Sequence, residues 1–423
     1  MIMTMMKSSN TEWLGDIPAE WDVAQIGNYY ELRNEKVSDY DFEPLSVTMK
    51  GIVPQLATAA KSDDHSNRKL VKKGDFVINS RSDRRGSCGI SPLDGSVSLI
   101  NTVMEPRGEM NPQYYNWLFH TEQFADEFYK WGHGIVDDLW TTRWQEMKKI
   151  LIVVPSPDEQ QAIADYLDET CSKIDEIIAE AKASIDEYKE LKQSVIFEAV
   201  TKGLDKNVEF IDSGDEWLGK YPQSYNIGQL SMLSNIVRGG SPRPAGDPRY
   251  YGGNISFMRI ADITKDDNIY VNSCENTITE EGLTRTRMIP PNTLLLTNSG
   301  ATLGVPKINT FETAFNDGIA AFLDLDERLN IVYVYFFLKA RTSYFLECAS
   351  MGMGQPNLNT DIIGRTKIVF PTLVEQQKVI SYLEDRCGKL NSLISEKESL
   401  IKDLESYKKS LIYEVVTGKR RVV

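Results

Sequence analysis

Two arginine-rich segments are the parts of this sequence best suited to bind another molecule. In the first, Ser80-Arg-Ser-Asp-Arg-Arg-Gly-Ser87, three arginines follow a β-rich stretch. The second, Arg238-Gly-Gly-Ser-Pro-Arg243, is soon followed by Arg249. A guanidinium fork can bind a phosphate or a guanine edge through two hydrogen bonds, and glycines allow close backbone approach. Both segments are candidate nucleic-acid contacts, with a solvated turn as the alternative explanation of the first.

Loops rich in small and amide-bearing residues extend this candidate surface. Asn67-Arg-Lys69 lies upstream of the first segment, and Asn298-Ser-Gly300 and Gly354-Gln-Pro-Asn357 follow the second. Hydroxyl and amide groups both donate and accept hydrogen bonds, which suits base edges, although ordinary surface turns share this composition. The predicted DNA-contacting residues are Arg68, Lys69, Arg81, Arg84, Arg85, Arg238, Ser241, Arg243, Arg249, Asn298, Ser299, Gln355 and Asn357.

Motifs for catalysis are missing from the sequence. It has no GxxxxGK[ST] loop, GxSxG elbow or HExxH helix, and no Asp-Pro-Pro-Tyr or Asn-Pro-Pro-Tyr tetrapeptide. The 3 histidines and 5 scattered cysteines show no metal-ligand spacing. We therefore expect no catalytic residue, metal site or cofactor site, and a binding function instead.

Length and composition describe a folded chain of two or more domains with uneven charge. The 423 residues are 41% hydrophobic and 26% charged, with a net charge of −14. Half of that charge falls in residues 156–203, where 5 basic residues stand against 12 acidic ones. The overall acidity therefore does not exclude local contacts with nucleic acid. Without a bilayer-spanning apolar stretch or a recognisable secretory signal, we expect a cytoplasmic location.

An internal repeat organises the chain. Glu12-Trp-Leu-Gly15 recurs as Glu216-Trp-Leu-Gly219, 204 positions later, and Glu159-Gln-Gln161 recurs as Glu375-Gln-Gln377, 216 positions later. The second copy thus carries about twelve extra residues between matched ends. The pattern indicates a tandem duplication whose inner regions have diverged.

Each repeat ends in a predicted long helix. Apolar residues recur every seven positions from Leu167 and from Cys171, with Ile177 and Leu191 expected to fill the seam, and the second copy repeats the pattern from Leu383. A sustained 3.5-residue period is typical of a coiled coil, here between the two helices. The alternative is that each helix packs only on its own domain.

The regions before the helices alternate short β-rich runs with turns and include one helical stretch each. The sequence therefore predicts an α+β fold in which two globular domains are separated by two long helices in an internal repeat. The predicted boundaries are 1–155 for the first domain, 156–203 for the central helix, 204–370 for the second domain and 371–423 for the C-terminal helix.

Taken together, these features resemble the DNA specificity subunit of Type I restriction–modification systems. The resemblance depends on the Pro-x-x-x-Glu-Gln-Gln motifs within 154–161 and 370–377 and on the paired Glu-Trp-Leu-Gly segments. It also depends on the Gly-Gly-Ser-Pro opening and the Gly-Gln-Pro-Asn loop of the second domain. The first domain departs from the pattern, with Val136-Asp-Asp-Leu139 in place of Gly-Gln-Pro-Asn.

The resemblance implies that each domain recognises one half of a split site in double-stranded DNA. It also implies that the two helices pair antiparallel and set the distance between the halves. Two methyltransferase subunits would dock on the chain and methylate adenine with S-adenosylmethionine, and restriction subunits using ATP and Mg²⁺ would join them. The chain itself would be non-catalytic, with no membrane contact. The candidate partner-binding residues on the helices are Ile174, Ile178, Ile185, Leu191, Leu390, Ile394, Ile401 and Leu404.

Two other functions remain open from the sequence. One is a coiled-coil adaptor whose end domains bind protein, which predicts no salt-sensitive DNA binding. The other is a silent copy of a specificity subunit that no longer partners a methyltransferase.

Overall fold

The computed structural model describes residues 5–58, 65–81, 84–134, 140–300, 302–350 and 357–422. The chain divides into two compact units, unit 1 comprising Met1–Lys182 with Glu398–Val423 and unit 2 comprising Ala183–Lys397. Two long helices each contribute one half to each unit. The four-part domain division made from the sequence stays a prediction.

The helices of the described residues range from single turns to twelve turns. In chain order they are α1 (Ile26–Tyr29), α2 (Pro112–Phe119), α3 (Glu122–Lys130), α4 (Trp144–Met147), α5 (Pro157–Lys202), α6 (Leu230–Leu233), α7 (Ile260–Thr264), α8 (Glu280–Leu283), α9 (Ile331–Ser350), α10 (Thr360–Arg365) and α11 (Leu373–Val416).

Unit 1 is built on short antiparallel strands. They are β1 (Met6–Ser8), β2 (Asp16–Pro18), β3 (Asp22–Gln25), β4 (Tyr30–Leu32), β5 (Lys36–Val37), β6 (Leu45–Thr48), β7 (Gly51–Pro54), β8 (Arg68–Val71), β9 (Phe76–Asn79), β10 (Cys88–Ile90), β11 (Gly95–Val97), β12 (Asn101–Pro106) and β13 (Leu151–Val154). The largest sheet has the order β10-β9-β12-β4, and a second has the order β11-β8-β5. Every residue of β9 is buried, as its continuous apolar run predicts.

Unit 2 has a larger strand set. Its strands are β14 (Phe210–Asp212), β15 (Lys220–Pro222), β16 (Asn226–Gln229), β17 (Asn235–Arg238), β18 (Tyr251–Met258), β19 (Tyr270–Val271), β20 (Thr277–Ile278), β21 (Met288–Ile289), β22 (Leu294–Thr297), β23 (Pro306–Asn309), β24 (Thr313–Phe315), β25 (Ile319–Leu323) and β26 (Lys367–Phe370). A five-stranded sheet has the order β17-β25-β22-β23-β19, and a four-stranded sheet has the order β20-β18-β24-β21. The ladders β18–β24 and β19–β23 are parallel.

The internal repeat appears in the strand pairing of both units. In unit 1, β3 pairs with β13 immediately before α5, and in unit 2, β16 pairs with β26 immediately before α11. The order β9-β12-β4 likewise corresponds to β22-β25-β17. The units share this frame and differ in the loops and small sheets inserted between its strands. The divergent middle regions of the sequence are these insertions.

Within each unit, the halves of the two long helices lie antiparallel. In unit 1, Asp175 of α5 contacts Lys408 of α11, and Glu159 near the start of α5 contacts Arg421 beyond the end of α11. One numbering rises as the other falls, so the helices run in opposite directions. α5 begins at a proline and is followed by Gly203, whose φ of +72° terminates it. The predicted fold class is confirmed.

The heptad seam is confirmed, except at two residues. Leu167, Cys171, Ile174, Ile178, Ala181 and Ile185 are buried. Ile177 and Leu191, which we expected in the seam, are 46% and 50% exposed. Lys192 occupies the seam position beside Leu191 and is only 9% exposed. The 3.5-residue period fixes which position lies in the seam, whatever residue occupies it. The prediction therefore chose the apolar Leu191 where the period selects Lys192.

The middle glutamine of each Glu-Gln-Gln motif fastens the start of a long helix to its unit. The buried Gln160 accepts a hydrogen bond from Asn111 N at 2.9 Å, next to the start of α2, and donates to Pro155 O at 2.9 Å. Gln376 accepts from Asn330 N at 2.8 Å and donates to the carbonyls of Arg328 and Pro371. The repeated motif therefore joins each long helix to the shorter helix packed beside it.

A tyrosine in each shorter helix completes this joint from the other long helix. Tyr114 of α2 donates to Val416 O at 2.7 Å near the end of α11. Tyr333 of α9 lies 2.8 Å from Val200 O near the end of α5. Each unit thus holds the start of its own repeat's long helix and the end of the other repeat's long helix. We call this arrangement exchanged packing. None of the helices described is long and apolar enough to cross a membrane.

Candidate nucleic-acid interface

The first arginine segment forms the connection between β9 and β10. Arg81, Arg84 and Arg85 are exposed, while Ser82 and Asp83 lie outside the described residues. The backbone of Arg81 bridges to that of Thr141, and Arg85 forms an ion pair with Asp126 of α3. Both side chains of that pair are about half exposed. The structure therefore presents three guanidinium groups together at the surface of unit 1.

Arg68 and Lys69 do not belong to this exposed group. Arg68 is buried, and its guanidinium donates to Ser96 Oγ at 2.8 Å and to Ser96 O at 3.1 Å. Lys69 Nζ donates to Asn101 O at 2.6 Å. Burial lowers the pKa of both side chains. We therefore reassign both residues from DNA contact to holding β8 against its neighbouring strands.

In unit 2, the Gly-Gly-Ser-Pro segment fits tightly against the rest of the domain. A Cβ atom on Gly239 would lie 2.3 Å from Phe315 O, and one on Gly240 would lie 2.0 Å from Arg285 O. Only glycine fits such approaches. The segment is thereby held between the turn that precedes β25 and the loop that precedes β21.

The turn before β25 brings the predicted polar residues of unit 2 together. Ser241 Oγ donates to Asp317 Oδ1 at 2.6 Å, and Arg238 Nε donates to Asp317 O. Asn298 N donates to Gly318 O at 2.9 Å, next along the same turn. The neighbouring Ser299 bridges to Asn357. Gln355, predicted for the same cluster, lies outside the described residues.

The amide of Asn298 has an unusual environment within this cluster. The residue is fully buried, yet neither its Oδ1 nor its Nδ2 has a hydrogen-bond partner among the residues that the structure describes. Leaving such a group unpaired costs about 1–3 kcal/mol. Packing alone gives no reason for an amide at this position.

Sequence reasoning missed three arginines beside this cluster. Arg285 and Arg287 are exposed on the loop that touches Gly240, and Arg259 lies 5.8 Å from the ring centre of Tyr251. Tyr251 in turn donates to Pro242 O at 2.8 Å. The run Thr284-Arg-Thr-Arg287 was the available signal in the sequence.

The arginines around the Gly-Gly-Ser-Pro segment differ in how far their charge is neutralised. In the described part of the chain, Arg243, Arg285 and Arg287 form no ion pair. Arg249 pairs with Asp247 at 2.7 Å, and its hydrogen bonds lower the pKa of that carboxyl. Three exposed arginines without an ion-pair partner in the described part of the chain therefore lie around the Gly-Gly-Ser-Pro segment.

The eight helix residues predicted to bind partner proteins are mostly used inside the units. Ile174, Ile178, Ile185 and Leu390 are buried, Ile394, Ile401 and Leu404 are partly buried, and Leu191 alone among them is exposed. Most of these side chains are not accessible to a partner protein, because they form the face on which the two long helices meet. The apolar residues that the long helices leave exposed are Ile177, Leu191, Leu373, Val374, Leu393, Leu400 and Tyr407.

The part of the chain that the structure describes contains no group of three or more His, Cys, Asp and Glu side chains that could hold a metal ion.

Comparison with known proteins finds similarity to specificity subunits of Type I restriction enzymes. Residues 222–403 match the sequence model of the family described as the Type I restriction modification DNA specificity domain. The Type I restriction enzyme MjaIX specificity subunit of Methanocaldococcus jannaschii is 29% identical over 174 residues, which cover 40% of this chain and 40% of that protein. The MjaVIII specificity subunit of the same organism is 22% identical over an alignment of 457 positions, covering 100% of this chain and 98% of that protein.

The fold matches a structure solved to explain complex assembly and conformational transition of a type I R-M system. The TM-score is 0.74 with 14% sequence identity, and the match covers 96% of this chain and 99% of that one. At this identity, the likeness establishes the shared fold.

Proposed function

We propose that this chain is a Type I restriction–modification DNA specificity subunit and that it recognises a split DNA site with one half-site read by each unit. The observation that carries the proposal is the duplicated frame. Each unit presents arginine-bearing loops on a sheet domain, and both units share the same pair of long helices. A chain that reads two separate half-sites needs two such surfaces on one support.

In unit 2, the proposed DNA surface is centred on the Gly-Gly-Ser-Pro segment. Arg243, Arg285 and Arg287 would neutralise phosphates, because they are exposed and form no ion pair in the described part of the chain. The polar groups of Ser241 and Ser299 would lie near base edges. Phosphate contacts position a protein on the duplex, and base contacts carry specificity.

In unit 1, the proposed surface is the connection that carries Arg81, Arg84 and Arg85. The two units use different loops because their insertions differ, so each would read a different half-site. Such contacts release counterions, and affinity would fall steeply as salt rises.

The helices have two proposed roles. Their antiparallel halves would set the distance between the half-sites, and their exposed apolar side chains, including Ile177, Leu191 and Leu393, would dock methyltransferase subunits. We propose two such subunits per chain, joined by restriction subunits. S-adenosylmethionine, ATP and Mg²⁺ would be used by these partners, and the chain itself would supply no catalytic group.

The test is co-expression with a Type I methyltransferase subunit encoded beside this chain, followed by sequencing of host DNA for modified adenine. We expect methylation of one split motif that disappears when this chain is deleted. Exchange of residues 220–366 for those of another specificity subunit should change the bases of one half of the motif and leave those of the other half unchanged.

The opposite results are equally informative. A bound methyltransferase without motif-restricted methylation would contradict the proposal and indicate a silent copy. Absence of both methyltransferase binding and salt-sensitive DNA binding would indicate a protein-binding adaptor.

A further inference from the structure

Each of two lysines in the helix seam contacts a polar residue of the other long helix, and the internal repeat relates the two contacts. Lys192 of α5 and Lys408 of α11 lie 216 positions apart, as do Asp175 of α5 and Asn391 of α11. Lys408 Nζ lies 2.6 Å from both carboxylate oxygens of Asp175 in unit 1. Lys192 Nζ donates to Asn391 Oδ1 at 2.7 Å in unit 2. Each unit therefore contains the same lysine-to-acceptor contact between the two helices.

The two contacts differ in where the negative charge comes from. In unit 1, the acceptor on the opposite helix is itself a carboxylate. In unit 2, that position is an amide, and Asp267, from the loop after α7, pairs with Lys192 instead. Asp267 also pairs with Lys339 of α9. The second domain thus completes a contact that the helices of unit 1 complete alone.

Lys192 occupies the interior of the seam. Ile185 and Ile196, on the same face of α5, are almost fully buried. An ammonium group at such a position is costly unless it is paired. Its contacts with Asn391 and Asp267 satisfy it only when the two helices lie at one axial position.

Apolar heptads alone specify that position weakly. A slide of seven residues places apolar residues opposite apolar residues again. The same slide would move the helices by about 10 Å, which equals about three base pairs of duplex. Lys192, which is only 9% exposed, removes this ambiguity in unit 2, because the slide would leave it unpaired.

We propose that Lys192 and Lys408 are positioning residues that fix the axial register of α5 against α11, and that Asp267 allows the second domain to set the register in unit 2. The inference rests on the proposed function, since the register would appear as the spacer length between the half-sites. It also predicts that Asn391→Asp can replace Asp267, because that substitution recreates in unit 2 the arrangement of unit 1.

The experiment uses the chain purified with its methyltransferase subunits and duplexes whose spacers are one to four base pairs longer or shorter than the wild-type motif. Discrimination is the methylation rate on the native spacer divided by the rate on a changed one. We expect Asp267→Asn to lower discrimination at least tenfold, and Asp267→Asn/Asn391→Asp to restore it. Asp175→Asn in unit 1 should lower it similarly.

Glu384→Gln is the matched control. Glu384 lies on α11 beside the same cavity as Lys192 and Asp267, is exposed, and forms no ion pair among the described residues. It should leave discrimination unchanged. If Asp267→Asn does not fold, Lys192→Met tests the same point, because an apolar seam residue should keep the pairing of the helices while relaxing their register.

Wild-type discrimination in the Asp267→Asn variant, or failure of Asn391→Asp to restore it in a folded double variant, would overturn the inference alone. Absence of split-motif methylation by the wild-type complex would overturn the proposed function, and this inference with it.

Discussion

The middle glutamine of the second Glu-Gln-Gln motif provides a sharp test of what this motif does. Gln376→Met removes the amide and keeps a side chain of similar length. It leaves Asn330 N, Arg328 O and Pro371 O without their partner. Each net intramolecular hydrogen bond contributes about 1 kcal/mol, so we expect the free energy of unfolding of unit 2 to fall by about 3 kcal/mol.

Two matched variants make the expectation quantitative. Gln160 makes two of these bonds, so Gln160→Met should lower the free energy of unfolding of unit 1 by about 2 kcal/mol. Gln377, next to Gln376 in the same motif, is exposed. Gln377→Met should change stability by no more than about 0.5 kcal/mol.

The assay is urea unfolding of the full chain, followed by circular dichroism, with hydrogen exchange measured peptide by peptide. Exchange is needed because two units need not unfold together. Gln376→Met should accelerate exchange in α9, and Gln160→Met should do so in α2. Equal destabilisation by Gln376→Met and Gln377→Met would refute the assignment of the motif as a structural fastening.

Three further predictions concern the joint between the helices, the DNA surface and acid. Tyr114→Phe in unit 1 and Tyr333→Phe in unit 2 should each lower the free energy of unfolding by about 1 kcal/mol, because each removes the hydrogen bond to a helix-end carbonyl. Urea unfolding measures this loss, and its absence in either variant would contradict the exchanged packing. Arg285→Ala and Arg287→Ala should each reduce the magnitude of the slope of log affinity against log salt concentration by about one. An unchanged slope in filter binding would show that DNA does not contact that arginine. Burial alone would raise the pKa of the Asp267 carboxyl, but Lys339 and Lys192 hold this pKa below its usual range. The contribution of the ionised carboxylate to stability is therefore complete above about pH 4 and is lost as pH falls through the lowered pKa. Thermal unfolding should accordingly be less acid-sensitive for Asp267→Asn than for wild type.

The sequence predicted the long helices well because their signal is local. The seam period can be read from residues seven apart, and a proline and a glycine mark the ends of α5. The period misses a seam position where a polar residue occupies it, as Lys192 does beside Leu191. Its burial depends on Asn391 and Asp267, which lie about 200 and 75 positions away in the chain. No window of neighbouring residues contains that information.

The candidate DNA surface was predicted less completely for a related reason. Basic composition does not distinguish an exposed arginine from one that is buried in a sheet, and Arg68 shows the difference, because Ser96 binds it from a neighbouring strand. Arg285 and Arg287 were overlooked because only the contact of their loop with Gly240 places them beside the candidate surface. Gly240 lies more than forty positions earlier in the chain. Pairing across such distances is decided by the sheets, and local pattern does not reveal it.

The residues that carry the family resemblance and the residues proposed to read DNA are different sets, and the structure gives the reason. Gln160 and Gln376 fasten long helices to their units, so a change at either position would disturb the frame whatever the DNA target. The arginines proposed to contact DNA take no part in the hydrogen bonds of either glutamine, so their replacement would leave these bonds intact. A duplicated chain can therefore alter one half-site by changing one set of loops. Asp267 is the exception, because it belongs to an insertion and yet contacts the seam, so an exchanged second domain should keep the wild-type spacer only when it brings an equivalent acid.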